Sequence, residues 1–366
     1  MNNQTGTAQL SNVNWHHVYG KPDGKGLFKS QPKDFIVTEQ LGYSPKGQGE
    51  HIYVWLQKQN LNTAFVAEQL AKYAKVPLRN VSFAGRKDKY ALTHQWFGVH
   101  LPGNREINWD GLVLEGARVL CAQRHNKKLR TGVLKGNRFE VCLRNATLSS
   151  DFEQRIENIC HYGVPNYFAE QRFGVVKDAT GNLILGGNLA LAERMLEGEV
   201  IRNRNKRSMA ISALRSWIFN QVVSERVAAQ LHNAPILGDA IKLAGSNSFF
   251  IAERFQASLN SDTQVDPTIL KRLAERDVEL TAPMVGKGDL ASKDDALLWE
   301  KNALEPYDHA IQILADLDLK QERRALMTIP RNLEWQFNNH QLSLCFDLPS
   351  GCYATAVLRE LIQYQQ

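Results

Sequence analysis

The sequence predicts a mixed α/β (α+β) protein in which both ends of the chain build one domain, residues 1–162 and 320–366, around an inserted domain at 163–319. Three observations lead there. Apolar and polar residues alternate with period two, the mark of a half-buried strand, near both ends of the chain. The stretch from about Gly163 to Leu319 carries mostly helical periodicity instead. And 366 residues at 43% hydrophobic composition can fill a core for each of two domains.

In chain order, Asp34 to Leu41 and His51 to Gln57 read as strands. Asn62 to Lys75 reads as an amphipathic helix: Asn62 is placed to cap it, Val66, Leu70 and Tyr73 share a face, and Pro77 stops it. Val81 to Ala84 resumes as a short strand ending at Gly85, and Arg138 to Arg144 alternates again. Asn188 to Gly198 and Arg207 to His232 are the clearest helical runs of the middle. Gln341 to Leu348 closes the pattern, with Leu342, Leu344 and Phe346 on one face. No internal repeat or low-complexity tract is visible.

Lysine and arginine number 44 against 38 acids, a net charge of +6, which favours a polyanionic partner without establishing one. The charge is unevenly spread. Residues 118–138 hold Arg118, Arg124, Lys127, Lys128, Arg130, Lys135 and Arg138 with no acid, so a positive surface ribbon is expected there. Residues 289–318 hold eight acids against Lys293 and Lys301, and are expected to face away from a phosphate backbone. The five cysteines form no C-x-x-C pair and keep no finger spacing with histidine, which disfavours zinc and a disulfide framework. The first residues lack a signal-peptide layout, and nowhere do eighteen apolar residues run together; a soluble cytoplasmic protein with no membrane partner is expected.

The segment Ser82 to Gln95 sets Asp88 on a turn after a strand, among Arg86, Lys87 and Lys89. Adjacent cations favour the charged carboxylate, and such a turn can hold a nucleophile or base open to substrate while the cations hold phosphates. The ordinary alternative is a charge-balanced, solvated turn. In Lys127 to Phe139 a basic loop leads into a strand, pairing cations for a backbone with an aromatic face for a base. Phe139 alternates with Val141 and Leu143, so core packing is its ordinary reading, and Asn137 is then a turn residue. Asn166 to Gly174 brackets Gln171 and Arg172 with aromatics, at a recognition surface or a packed helix-to-loop junction. Gly351 to Glu360 is a glycine turn feeding a helix, and capping accounts for much of it. Arg202, Arg204, Lys206 and Arg207 form a cluster that as a rule is a solvated face.

Absences narrow the chemistry. Gly20 to Gly26 is one residue short of a phosphate loop and lacks Ser or Thr after Lys25. No G-x-G-x-x-G follows a strand, and no H-x-E accompanies a P-C-x-x-C, which disfavours nicotinamide chemistry, a cofactor-dependent methyltransferase and zinc deamination.

Taken together, these segments resemble the tRNA pseudouridine synthase D (TruD) family along nearly the whole chain. The signature G-x-K-D-x-x-A-x-T-x-Q is met by Gly85, Lys87, Asp88, Ala91, Thr93 and Gln95. Further agreement lies in Asp34 to Glu39, Gly136 to Phe139, Asn166 to Gly174, Arg323 to Pro330 and Gly351 to Glu360, in the family's order. Ala169 departs from the pattern, standing where the family usually has glycine.

The resemblance implies a discontinuous pseudouridine-synthase catalytic domain with a mixed or antiparallel sheet, an inserted TruD-specific α/β domain, and RNA held in the cleft between them. It implies Asp88 as the catalytic carboxylate, Phe35, Phe139 and Tyr353 lining a base and sugar pocket, Asn137 hydrogen-bonding nearby and Lys29 supplying positive charge. The expected partner is tRNA, the expected target uridine 13 in its D-arm, and the expected enzyme an isomerase that works as a monomer without cofactor or metal. The rival from another class is a non-catalytic protein that binds structured RNA; it would need the ribbon and the aromatics but no special carboxylate.

Overall fold

Apolar side chains recurring at every second position give the N-terminal strands one dry face each, and pairing those faces builds a sheet. In the computed structural model, which describes residues 10, 14–103, 105–174, 176–177, 183–184, 186–246, 248–253 and 265–365, that sheet has ten strands. They are β1 (Lys25–Phe28), β2 (Phe35–Gln40), β3 (His51–Gln59), β4 (Val81–Phe83), β5 (Leu92–His100), β6 (Ala117–His125), β7 (Gly136–Thr147), β8 (Arg331–Asn338), β9 (Gln341–Pro349) and β10 (Gln363–Gln365).

The order is β8-β9-β7-β2-β5-β3-β6, with β1 beside β7 and β10, and β4 beside β5. Two pairings are parallel, β2 with β5 and β1 with β10; the others are antiparallel, so the sheet is mixed. Register puts Phe35, Val37 and Glu39 of β2 opposite Val141, Phe139 and Asn137 of β7, on the same face as Leu344, Phe346 and Leu348 of β9. Gly136 opens β7 as glycine because any Cβ there would clash with the Leu348 carbonyl oxygen.

The helix α1 (Thr63–Ala74) covers the β3/β5 end of the sheet. Val66, Leu70 and Ala74, spaced for one helical face, pack with Ile52, Val54, Leu56, Phe97 and Val99. Each large aliphatic buried this way contributes about 1.5–3 kcal/mol. Asn62 stands at the N-cap position, but its side chain makes no capping bond. Instead Thr63 Oγ1 anchors the first turn, donating to Gln95 Oε1 at 3.1 Å. The helix ends because Lys75 turns left-handed at φ 52°, two residues before Pro77.

The chain divides into two compact units. One comprises Pro22–Cys160, Pro330–Ala354 and Leu361–Gln366 and contains the ten-stranded sheet. The other comprises the N-terminal stretch through Lys21, His161–Ile329 and Thr355–Glu360.

The second unit is built on a long helix, Arg204–Ala228, whose Ala213, Leu214, Trp217, Ile218, Val222 and Val223 are buried. It packs on the helix Gly187–Leu196 and on a four-stranded antiparallel sheet ordered Phe249–Ile251, Ala240–Leu243, Val278–Met284, Glu322–Ala325. This sheet has little signature in the sequence. Its strands are short, one holds Pro283, and another reads Glu-Arg-Arg-Ala. Those arginines are paired inside the unit: Arg323 Nη2 lies 2.7 Å from Glu300 Oε1 and Arg324 Nη2 donates to Asn166 Oδ1 at 2.6 Å. Glu300, one of the eight acids of 289–318, is therefore a buried ion-pair partner.

Candidate active site

Asp88 sits in the loop between β4 and β5, its side chain 30% exposed. The loop is held by the residues that form the motif. Gln95, buried on β5, donates through Nε2 to the Gly85 carbonyl at 2.6 Å, and the Lys87 amide donates to Thr63 Oγ1 at 3.0 Å. Gly85 itself has no left-handed φ, and a Cβ there would meet only Lys87 Nζ at 3.8 Å, so the turn does not depend on glycine's freedom.

Lys87 turns inward rather than toward solvent. Its Nζ lies 2.5 Å from Glu39 Oε1, while Glu39 Oε2 accepts from the Trp96 amide at 2.8 Å. Burial pushes the Glu39 carboxyl above its ordinary range, against the Lys87 ammonium that pulls it down. Of the three cations that flank Asp88 in sequence, this one is committed to the protein interior; Arg86 and Lys89 are more open to solvent.

The cation that meets the Asp88 carboxylate comes from β1's end. Lys29 Nζ stands 2.9 Å from Asp88 Oδ2. Lys29 takes a left-handed φ of 59°, a backbone conformation costing about 1 kcal/mol for a residue with a Cβ, and its ammonium lies 4.5 Å from the Phe35 ring centroid.

Phe35 stacks on Phe139 at 6.0 Å between centroids and 15° between planes, and Phe139 meets Phe346 at 5.7 Å. Lys29, Phe35 and Phe139 thus form one connected group with Asp88. Phe35 and Phe139 are 4% and 6% exposed, so both also serve the core. Asn137 joins through register rather than hydrogen bonding. It lies two residues before Phe139 on the same face of β7, and its Oδ1 is buried without a hydrogen-bond partner among the described residues. Tyr353 stands half-buried between β9 and the helix Ala354–Leu361, on neither of the strands that carry Phe35 and Phe139.

Two contributors escaped the sequence reading, and both carry the same signal. Lys58 falls in phase with Val54 and Leu56, so a cation points to the dry face of β3; Glu39 falls in phase with Phe35 and Val37 on β2. Lys58 is fully buried and donates to the carbonyls of Asp88 and Leu61, each at 3.0 Å. Burial pushes its ammonium down to about 8, with the Asp88 charge opposing the shift.

The remaining segments have structural work. Tyr167, Phe168 and Phe173 are buried, the Asn166 side chain donates to Ala325 O at 3.0 Å, and Arg324 lies 4.1 Å from the Phe168 ring. Ala169 has φ −70° and ψ 155°, a conformation alanine adopts freely, so the missing glycine strains nothing. Arg359 donates to Trp15 O and His16 O, and Glu360 accepts from the Val18 amide. In the basic ribbon, Arg118, Lys127, Lys128, Arg130 and Lys135 are exposed, as are Arg202, Arg204, Lys206 and Arg207.

Among the described residues no group of His, Cys, Asp and Glu could hold a metal ion, and no helix is long and apolar enough to cross a membrane. The chemistry on offer is a partly open carboxylate on a loop anchored by hydrogen bonds, the Lys29 ammonium on it, and aromatic rings beside it.

Comparison with known proteins bears on the family and the fold. The family model described as tRNA pseudouridine synthase D (TruD) matches residues 14–210 and 199–361. The chain is 50% identical over 352 residues to the tRNA pseudouridine synthase D of Pseudoalteromonas atlantica, covering 96% of each chain. It is 44% identical over 350 residues to that of Shewanella oneidensis, covering 96% of this chain and 89% of the relative. The crystal structure of a Methanosarcina mazei protein assigned to tRNA pseudouridine synthase D superposes with a TM-score of 0.62 at 20% identity, covering 97% of this chain and 96% of that one, a likeness of fold.

Proposed function

The chain belongs to the tRNA pseudouridine synthase D (TruD) family, and on that premise we propose that it isomerises a uridine of tRNA to pseudouridine, with uridine 13 of the D-arm as the target. In this reading the unit holding the ten-stranded sheet is the catalytic domain, and the protein acts as a cytoplasmic monomer. The observation that carries the reading is the Asp88 carboxylate, partly open to solvent on a loop anchored from below and faced by Lys29 at 2.9 Å.

The reaction breaks the bond from the ribose C1′ to N1 of uracil, turns the base, and joins C1′ to C5; the proton leaving C5 balances the one gained at N1. Oxidation state is unchanged, so side chains suffice. A base inside a folded stem must first leave the stack, which costs a few kcal/mol. Exposed cations of the ribbon offset that cost at the phosphates, and the Phe35 and Phe139 rings would flank the flipped nucleotide.

Asp88 then acts on the flipped nucleotide as nucleophile, at the sugar or the base, or as the base that removes a ribose proton; each route needs the same carboxylate. The test is Asp88→Asn on unmodified tRNA, with no additive. Pseudouridine yield should fall by roughly a thousand-fold or more while tRNA binding survives. Near-normal yield would return the protein to the class of RNA binders. A transcript with cytidine in place of uridine 13 tests the target: modification should vanish, and its persistence elsewhere would move the site.

A further inference from the structure

Lys58 is a charged side chain on the dry face of a strand, and the fold spends it on two main-chain carbonyls rather than on a carboxylate. One of these, Leu61 O, lies on the link from β3 into α1; the other belongs to Asp88. A single ammonium therefore ties the helix entry to the peptide that carries the reacting carboxylate. Asp88 is gripped at both ends, its side chain by Lys29 and its backbone by Lys58. The two grips differ in kind. Lys29 touches the oxygens that a nucleotide must reach, whereas Lys58 holds the backbone carbonyl.

We infer that Lys58 is a positioning residue for the isomerisation: in its charged form it clamps the Asp88 backbone, and loss of its proton releases the clamp and sets the alkaline limit of turnover. The inference rests on Asp88 being the reacting group. Charge-assisted hydrogen bonds are roughly twice as strong as neutral ones, so deprotonation weakens the hold although N–H donors remain. The charges facing the ammonium are Glu39 of β2 and Asp88 of the loop, which favour it, and Lys87 of the loop, which opposes it; burial opposes it most. The balance places the transition near pH 8, within reach of an assay.

The experiment compares wild type, Lys58→Met, Lys58→Arg and Asp88→Asn, measuring single-turnover rate at saturating enzyme and tRNA affinity across pH. Lys58→Met keeps length and apolarity but removes the charge. It should lose about a hundred-fold in rate, the scale of a misplaced catalytic group, with affinity held within about three-fold. The wild-type rate should fall as pH rises through about 8, and in Lys58→Arg, whose guanidinium keeps its proton, the limb should move upward.

A wild-type rate flat across that range overturns the inference without any variant, even if Lys58→Met fails to fold. So does a limb that stays in place in Lys58→Arg. Should Asp88→Asn stay active, the catalytic reading fails; should Asp88→Asn be inactive while Lys58→Met runs within about three-fold of wild type, only the role of Lys58 fails.

Discussion

Glu39 and Lys87 form an ion pair that the fold hides from water: Nζ lies 2.5 Å from Oε1, and the side chains are 0% and 8% exposed. The pair ties the Asp88 loop to β2, at the residue opposite Asn137 in the register of β7. A buried charge stripped of its partner is costly, whereas an intact pair is near break-even.

Lys87→Met should therefore lower folding stability by about 3 kcal/mol at neutral pH, read from chemical denaturation. Replacing both residues with apolar ones should cost less than the two single changes combined. The pH dependence has a definite sign. Without Lys87 the Glu39 carboxyl loses the strongest influence holding it down and rises further. The folded state then holds its proton more tightly than the unfolded chain, so the deficit of Lys87→Met should shrink as pH falls from neutral. A deficit that grows toward acid would contradict the pairing.

Lys29→Met should behave oppositely. Lys29 is itself 8% exposed, but the carboxylate it would leave behind is 30% exposed and can be hydrated, so the melting temperature should fall less than in Lys87→Met. Turnover should fall by about a hundred-fold, as expected when a charge aimed at a reacting centre is removed. Melting curves alongside single-turnover rates decide it; a large loss of stability with normal turnover would make Lys29 a structural residue.

Asn137→Ala tests the buried amide oxygen that has no hydrogen-bond partner among the described residues. Removing an unsatisfied acceptor should change stability by less than about 1 kcal/mol. If that oxygen receives a donor from the bound nucleotide, turnover should drop by roughly ten-fold at unchanged stability. Unchanged turnover would leave Asn137 with no part in the reaction.

Replacing Lys127, Lys128 and Arg130 together with alanine tests the ribbon as a phosphate contact. The slope of log affinity against log salt should flatten by roughly two, at about 0.7–0.9 per lost contact. Identical slopes would place the tRNA backbone elsewhere.

What the sequence disclosed followed local periodicity. The strands β2, β3, β7 and β9 and the helix α1 were legible because their apolar spacing matches their geometry, whereas Asp88 stood out only through the family resemblance, since a charged turn after a strand has an ordinary reading of its own. The alternation of β5 is blurred by inward-facing Thr93 and Gln95, and β6 fully buries only His125. Lys58 and Glu39 were hidden for the same reason. Local patterning treats an inward charge as an error, and only pairing across the sheet reveals what it holds. Likewise, no spacing rule joins Lys29 to Asp88; that meeting depends on β1 and β5 flanking the same body of sheet.

The strand that delivers Lys29 has an unusual neighbour. β1 runs parallel to β10, with Lys25 opposite Gln363, the Gln363 amide bonded to Gly24 O and Tyr364 edge-on to Phe28 at 5.4 Å. During synthesis, residues 25–29 leave the ribosome long before residues 363–365 exist to flank them. The strand that ends in Lys29 thus gains its parallel neighbour only once β10 has been made, so its final register is among the last pairings the sheet can form.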